Sequence, residues 1–290
     1  MTVVNRYRRD ANTSLQIDHD RIVLYFKKYI RRAIMRAFPE SALKFFSVRS
    51  RRTIELQARS LGLDTVAREI ARATGGAVAA GPFAGLKLNY ELFPTHASPK
   101  FLGTYEKELH NIIERAIELK PKYILNVGCA EGFYAVGLAT RLSEAQIFAA
   151  DADPKALSAT TRNAALNGVS GRVHAVGPVK PGELHRYLRT DASLIVMDCE
   201  GAEFSLLDPT NDPELLRTNI IVEIHREFGD SDQIIRRFQR THSIIEVCPS
   251  DRLETDIVLA PVKGVDMLTA AKEWRGDQSW LFLEAGRGRK

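Results

Sequence analysis

The stretch Tyr123-Ile-Leu-Asn-Val-Gly-Cys-Ala-Glu-Gly-Phe-Tyr-Ala-Val-Gly137 decides the fold. Tyr123 to Val127 is a short apolar run, rich in β-branched and aromatic residues and broken only by Asn126, and it reads as a buried strand. Gly128 and Gly132 supply positions where a side chain would block a tight turn or a close ligand. Ala135, Leu138, Ala139 and Leu142 then recur at helical spacing. A glycine turn opening onto a helix N-terminus offers free N–H groups to a polar or anionic ligand. A dinucleotide fingerprint starting at Gly128 would need glycine at 130 and glycine or alanine at 133, where the chain has Ala130 and Phe133. A nicotinamide or flavin cofactor is therefore not expected. A nucleoside-type ligand without a pyrophosphate fits the turn better.

Further strands and helices alternate around this stretch. Gln146 to Ala150 is a second strand, running into Asp151-Ala-Asp153-Pro154, with Pro154 suited to the first turn of the next helix. Strands are also expected at 172–176, 193–197 and 219–225, with candidates at 243–247, 255–259 and 279–283. Thr104 is placed to cap the helix that precedes the first strand, with Glu106 in its first turn. The expected fold is α/β: a Rossmann-like, mostly parallel sheet with an antiparallel edge, binding ligands beyond the C-terminal strand ends. Asn126, Asp151 and Asp198 each stand at such an end. A carboxylate at Asp151 is spaced to meet a ribose.

Upstream, the composition changes. Residues 1–60 carry about 14 Lys/Arg against about 5 Asp/Glu, which leaves the remainder of this net +5 chain slightly acidic. We divide the 290 residues into a basic helical N-terminal extension, 1–80, and a main domain, 81–290. Within the extension, Ile22, Phe26, Tyr29, Ile30, Ala33, Ile34 and Ala37 form an apolar stripe, with Lys27, Lys28, Arg31, Arg32 and Arg36 mostly off it. The plainer reading is a helix packed on the main domain; a peripheral membrane contact through 22–38 stays open beside it. A helical pattern also covers 53–74, and 93–99 reads as a connector without helical periodicity. No aromatic-basic pattern of a nucleic-acid module occurs, so no specific nucleic acid is expected. Neither a spanning helix nor a cleaved secretory leader is expected. Three cysteines without paired spacing suit a reduced, cytoplasmic setting.

Taken together, these residues resemble the class I S-adenosylmethionine-dependent methyltransferases, and within them the FkbM type, over about 102–283. The resemblance rests on Leu102-Gly-Thr-Tyr-Glu106, Asn126-Val-Gly-Cys-Ala-Glu-Gly132, Asp151-Ala-Asp-Pro154, Asn163-Ala-Ala-Leu-Asn-Gly168 and Glu223-Ile-His225. Its most specific part is Asp198-Cys-Glu-Gly-Ala-Glu203, close to an Asp-x-Glu-Gly-x-Glu signature. It implies S-adenosylmethionine as cofactor, with Gly128, Ala130 and Gly132 passing under the methionine and ribose, and Asp151 on the ribose hydroxyls. Tyr105, Glu106, Asn126 and Asp198 join the cofactor-binding set. Asn126 and Ala130 depart from the family's usual acidic residue and glycine.

Methyl transfer is an in-line displacement from a sulfonium, assisted by a base where the acceptor carries a proton. Asp198, Glu200 and His225 are the candidates at the adjoining strand ends, and Glu200 and Glu203 have a structural alternative as loop or helix brackets. The spacing of Asp198, Glu223 and His225 is not diagnostic of a metal, so none is assigned. The resemblance implies O-methylation of a small-molecule or glycan acceptor, a sugar or secondary metabolite. Methylation of nitrogen is the enzyme alternative, and a non-catalytic nucleoside-binding module the alternative from another class.

Overall fold

The period-2 alternation of the strands sorts the core into two layers. In β1 (Tyr123–Val127), Ile124 faces one layer while Leu125 and Val127 face the other. The same alternation splits β4 (Ser193–Met197), β5 (Asn219–His225) and β7 (Gln278–Ala285): Leu194, Val196, Ile221, Trp280 and Phe282 lie on the first face, and Ile195, Met197, Ile220, Val222, Leu281 and Leu283 on the second. Sheets with apolar residues on both faces must be covered on both, and helices do so here. In the computed structural model, residues 63–89, 97–189, 192–273 and 278–286 are described. The residues 22–38 of the basic stripe lie outside them.

The remaining strands are β2 (Gln146–Ala150), β3 (Val173–Val176) and β6 (His242–Val247). One seven-stranded sheet results, in the order β3-β2-β1-β4-β5-β7-β6. The first five strands are parallel to their neighbours, and β7 runs antiparallel to both β5 and β6. This is the α/β sheet with an antiparallel edge that the alternation of elements predicts. The chain winds outward from β1 to β2 and β3, then returns to place β4 on the other side of β1. The resulting reversal beside β1 is the switch point where such sheets bind ligands.

The described helices are α1 (Leu63–Ala73), α2 (Ala97–Leu102), α3 (His110–Glu118), α4 (Phe133–Arg141), α5 (Pro154–Leu166), α6 (Glu203–Leu206), α7 (Ser231–Phe238) and α8 (Met267–Ala271). Pro154 opens α5 as its sequence position predicts, and the Asp153 side chain accepts the Lys155 N–H at 2.9 Å. Three expectations are corrected. Residues 97–99, the end of the stretch 93–99 read as connector, open α2, whose six residues are all buried; burial of Phe101 and Leu102 stabilises a turn that has no helical periodicity of its own. Thr104 does not cap α3. A 3-10 turn, Lys107–Leu109, intervenes, and the Thr104 hydroxyl donates to the Ala271 carbonyl at 3.3 Å. The 255–259 strand is absent, and Glu254–Asp256 is a 3-10 turn.

Residues 63–80, grouped by charge with the extension, share a core with the sheet: Ala67, Ile70, Ala71 and Val78 pack in the same cluster as Phe101, Ile113 and Leu138. Replacing the fully buried Ile70 by Ala removes three heavy atoms from that cluster and is expected to lower stability by ~2–4 kcal/mol in urea unfolding. A loss below ~0.5 kcal/mol, the range of a surface substitution, would remove α1 from the core.

Candidate functional site

Strand register brings the site together. Val127 pairs with Ala150 on one side and Met197 on the other, so the loops after β1, β2 and β4 start level with one another. Gly128 and Cys129 both donate their N–H groups to the Ala150 carbonyl, at 2.8 and 3.0 Å. Gly128 has φ +76°, and a Cβ placed there would lie 1.6 Å from the Asp198 carbonyl oxygen. Only glycine lets the chain turn so close to β4. Gly132, with φ +86°, faces Thr160 of α5, whose Oγ1 a Cβ would approach to 2.9 Å.

Between the two glycines the loop is fastened through its backbone. Ala130 is left-handed, φ +48°; its N–H donates to Asp151 Oδ2 at 3.0 Å and its carbonyl accepts from Thr160 Oγ1 at 3.0 Å. The other Asp151 oxygen accepts the Asp153 N–H at 2.9 Å. The carboxylate is thus oriented by two N–H groups, and each oxygen keeps a second lone pair for a ligand hydroxyl. Asn126 donates from Nδ2 to the Val196 carbonyl at 3.1 Å, while its buried Oδ1 has no protein partner. Burial pushes the Cys129 thiol up to about 12, so this loop cysteine is not a nucleophile.

The lead-in closes over the loop. Tyr105 meets Phe133 edge to face at 5.3 Å, and Lys100 Nζ sits 4.6 Å from the Tyr105 ring centre. Lys100 also pairs with Glu131 in a buried ion pair. Glu106, left-handed at φ +47°, accepts a hydrogen bond from the Tyr134 hydroxyl and donates its N–H to Glu273 Oε1 at 2.9 Å. Glu273 in turn pairs with Arg252, which also contacts Glu108 at 2.8 Å and donates from Nε to the Thr104 carbonyl at 2.8 Å. Among these residues, Lys100, Glu131, Thr160 and Arg252 escaped the sequence reading. Arg252 lies 148 residues from the carbonyl it holds, and no local pattern signals it.

The other half of the site stands on β4 and β5. Glu203, fully buried, accepts from the Gly201 N–H at 2.8 Å, the His225 N–H at 2.9 Å and His225 Nδ1 at 3.1 Å. It brackets the loop after β4 to the end of β5. The opposite ring nitrogen of His225, Nε2, lies 3.5 Å from Asp198, 3.7 Å from Glu223 and 3.8 Å from Glu200. Burial alone would lower the His225 pKa; Glu203, then Glu223 and Asp198, outweigh it and hold the value well above that of ordinary imidazole. The side chains of Asp198 and Glu200 are about a third exposed, whereas His225 and Glu223 are buried. All three proposed catalytic residues therefore meet at one point, and Asp151, Ala130, Gly128 and Gly132 at another, with the backbone of Asp198 between them.

The residues present fit an adenosyl cofactor: a backbone cradle, an oriented carboxylate and an unpartnered buried amide oxygen. Residues 109–197 match the family model described as ribosomal protein L11 methyltransferase (PrmA). The ribosomal protein L11 methyltransferase of Synechococcus elongatus is 44% identical over 55 residues, 19% of this chain and 18% of the relative. That of Acinetobacter baylyi is 30% identical over 92 residues, 32% of this chain and 30% of the relative. The chain thus spans less than a third of the length of either relative. Among solved structures, it is similar to the SAH-bound methyltransferase PaMTH1 of Podospora anserina, with 23% identity, a TM-score of 0.34, and 39% of this chain and 50% of that one covered. An rRNA methylase from Streptococcus thermophilus shows 14% identity and a TM-score of 0.41 over 61% of this chain and 96% of that one.

The order and direction of the strands are those of the class I S-adenosylmethionine-dependent methyltransferase fold, and the loop after β1 lies within the residues that match the family model. The expected acceptor is corrected. The matched relatives are methyltransferases of a ribosomal protein, and this is at odds with a small-molecule or glycan acceptor. The sugar or metabolite acceptor came with the family resemblance alone, and no residue of the sequence selects it.

Gly128→Ala tests the close approach. Backbone strain and the collision with the Asp198 carbonyl are expected to lower Tm and to weaken binding of S-adenosylhomocysteine at least ~10-fold in calorimetry, as a displaced cradle would. Unchanged Tm and affinity together would show that the loop stands off β4.

Proposed function

We propose that this chain is an S-adenosylmethionine-dependent methyltransferase whose acceptor is a protein. The observation that carries the reading is the loop 128–132, fixed by Gly128 against β4 and by Ala130 on Asp151, within the stretch that matches the methyltransferase family. The protein acceptor is supported by the matched relatives, which are methyltransferases of ribosomal protein L11. The FkbM subdivision is supported by Asp198-Cys-Glu-Gly-Ala-Glu203 and Glu223-Ile-His225, without the acceptor class attached to it. A cytoplasmic setting goes with the reading, and the three cysteines are free thiols. Among the described residues, no helix is long and apolar enough to cross a membrane.

S-adenosylmethionine supplies a methyl group on a sulfonium, and the electrons of the breaking S–C bond return to sulfur as the acceptor forms its bond to carbon. The chain holds the two reactants in line, which is where most of the rate gain in such a displacement arises. Asp151 holds the ribose, and the backbone from Gly128 to Gly132 carries the rest of the cofactor. Asp198 and Glu200 are the acceptor-facing carboxylates, and the proton released by the acceptor passes to one of them. His225, buried and tied to Glu203, faces both from 3.5 and 3.8 Å.

Asp151→Ala is expected to weaken cofactor affinity by ~1.5–3 kcal/mol, about ten- to a hundred-fold in Kd, while leaving the fold intact. Equal affinity in calorimetry would place the ribose elsewhere. Incubation with methyl-labelled S-adenosylmethionine and cell extract is expected to put label into a protease-sensitive fraction, and the labelled atom then distinguishes nitrogen from oxygen. Label confined to small molecules would overturn the protein acceptor, and cofactor binding without transfer would overturn the enzyme.

A further inference from the structure

The group around His225 Nε2 has a geometry that methyl transfer does not explain. Glu223 and His225 are two apart on β5, so both project from the face that also carries Ile221, where alternation would otherwise place core. Asp198 reaches the same point from the end of β4, because Met197 pairs with Val222. One ligand-type atom from each of Asp198, Glu223 and His225 lies within 4.8 Å of the other two.

Two observations bear on what occupies that point. The first is the state of Nε2: the ring is almost fully buried, Nε2 has no hydrogen-bond partner, and it faces carboxylate oxygens at 3.5, 3.7 and 3.8 Å. A hydrogen bond from Nε2–H to any one of them would close to about 2.7–3.2 Å. Instead the nitrogen stands at nearly equal distance from three acceptors, as ligands do around a shared ion. Asp198, Glu223 and His225 thus turn three donor atoms, none more than 4.8 Å from another, towards one shared point. The second observation is the bracket on the other ring nitrogen. Nδ1 meets Glu203 Oε1 at 3.1 Å, and the same oxygen accepts the His225 N–H. A carboxylate on Nδ1 keeps the proton on that nitrogen, so the proton displaced by an incoming cation is the one on Nε2, the arrangement that orients metal-ligating histidines.

We propose that Asp198, Glu223 and His225 form a divalent cation site, with Glu203 as the orienting carboxylate and Glu200 at its open edge. The mixed imidazole and carboxylate donors suit Mn2+ or Zn2+. Asp198, a third exposed, is the side from which the ion enters and from which an acceptor group reaches it. The site lies on the opposite flank of β4 from the cofactor cradle and shares Asp198 with it, so metal binding is measured directly, without the methyl donor.

The test is titration of the whole protein with Mn2+, read by the EPR signal of the free ion, and with Zn2+ by calorimetry. One ion per chain is expected, with Asp198→Asn and Glu223→Gln each weakening binding at least ten-fold. Each variant's Tm and far-UV circular dichroism report whether it is folded. Should Glu223→Gln not fold, the more exposed Asp198→Asn decides. Absence of binding by both ions, or wild-type affinity in a folded Asp198→Asn, would overturn the site. So would saturable methylammonium binding with no metal isotherm, which would make the cluster a subsite for the acceptor's amine.

Discussion

The contact that everything else depends on is the approach of Gly128 to the Asp198 carbonyl. A single missing Cβ lets the chain leaving β1 turn against β4, where any side chain would lie 1.6 Å from the oxygen. The turn aims the next N–H groups at the Ala150 carbonyl and at Asp151, and so fixes the orientation of the Asp151 carboxylate. The register that makes the contact close also sets Asp198 beside Glu223, since Met197 pairs with Val127 on one side and Val222 on the other. The cradle and the acidic group are therefore not independent sites. They are the two flanks of β4, and a shift of that strand would misplace both.

Buried charge is the second constraint. Glu203 is fully buried yet accepts three N–H groups, and that saturation is what makes a buried carboxylate tolerable. Arg252 does the same for the lead-in, with Glu108, Glu273 and the Thr104 carbonyl around one guanidinium. Pairs of this kind add little net stability over apolar packing, but removing one partner strands the other. Their effect is positional: Glu106 and Tyr105 stay over the loop because Glu273 and Arg252 hold the backbone beneath them.

Which parts were legible follows from which physics is local. Strands at 123–127, 146–150, 193–197 and 219–225 carry their period in the sequence, and Pro154 after Asp153 marks a helix start. Strand ends could be read, and with them Asp151 and Asp198. Ala97–Leu102 could not, because it is helical through burial rather than through its own period. Thr104 fails as a cap because its hydroxyl finds the Ala271 carbonyl, a partner 167 residues away. The one sign of the His225 group was Glu223 and His225 at alternate positions of an otherwise apolar strand. Alternation says they share a face; only the register with β4 says that Asp198 meets them. The acceptor could not be read either, because no residue pattern in the sequence selects it.

Asn126 and Ala130, the two departures from the family pattern, show why the cofactor half tolerates sequence change. A left-handed alanine costs ~1–2 kcal/mol relative to a relaxed conformation. Its N–H on Asp151 and its carbonyl on Thr160 return ~0.5–1.5 kcal/mol each, so glycine is not required there. Gly128 has no such latitude, because its neighbour is backbone. At Asn126, the amide keeps one hydrogen bond to β4 through Nδ2 and leaves Oδ1 as an acceptor, the function a carboxylate would serve without its charge. A cradle made of main-chain groups survives substitution wherever the backbone path is kept. The flank made of Asp198, Glu200, Glu223 and His225 is built from side chains, and each change there alters the chemistry itself. The matched region ends at Met197, where the first kind of site gives way to the second.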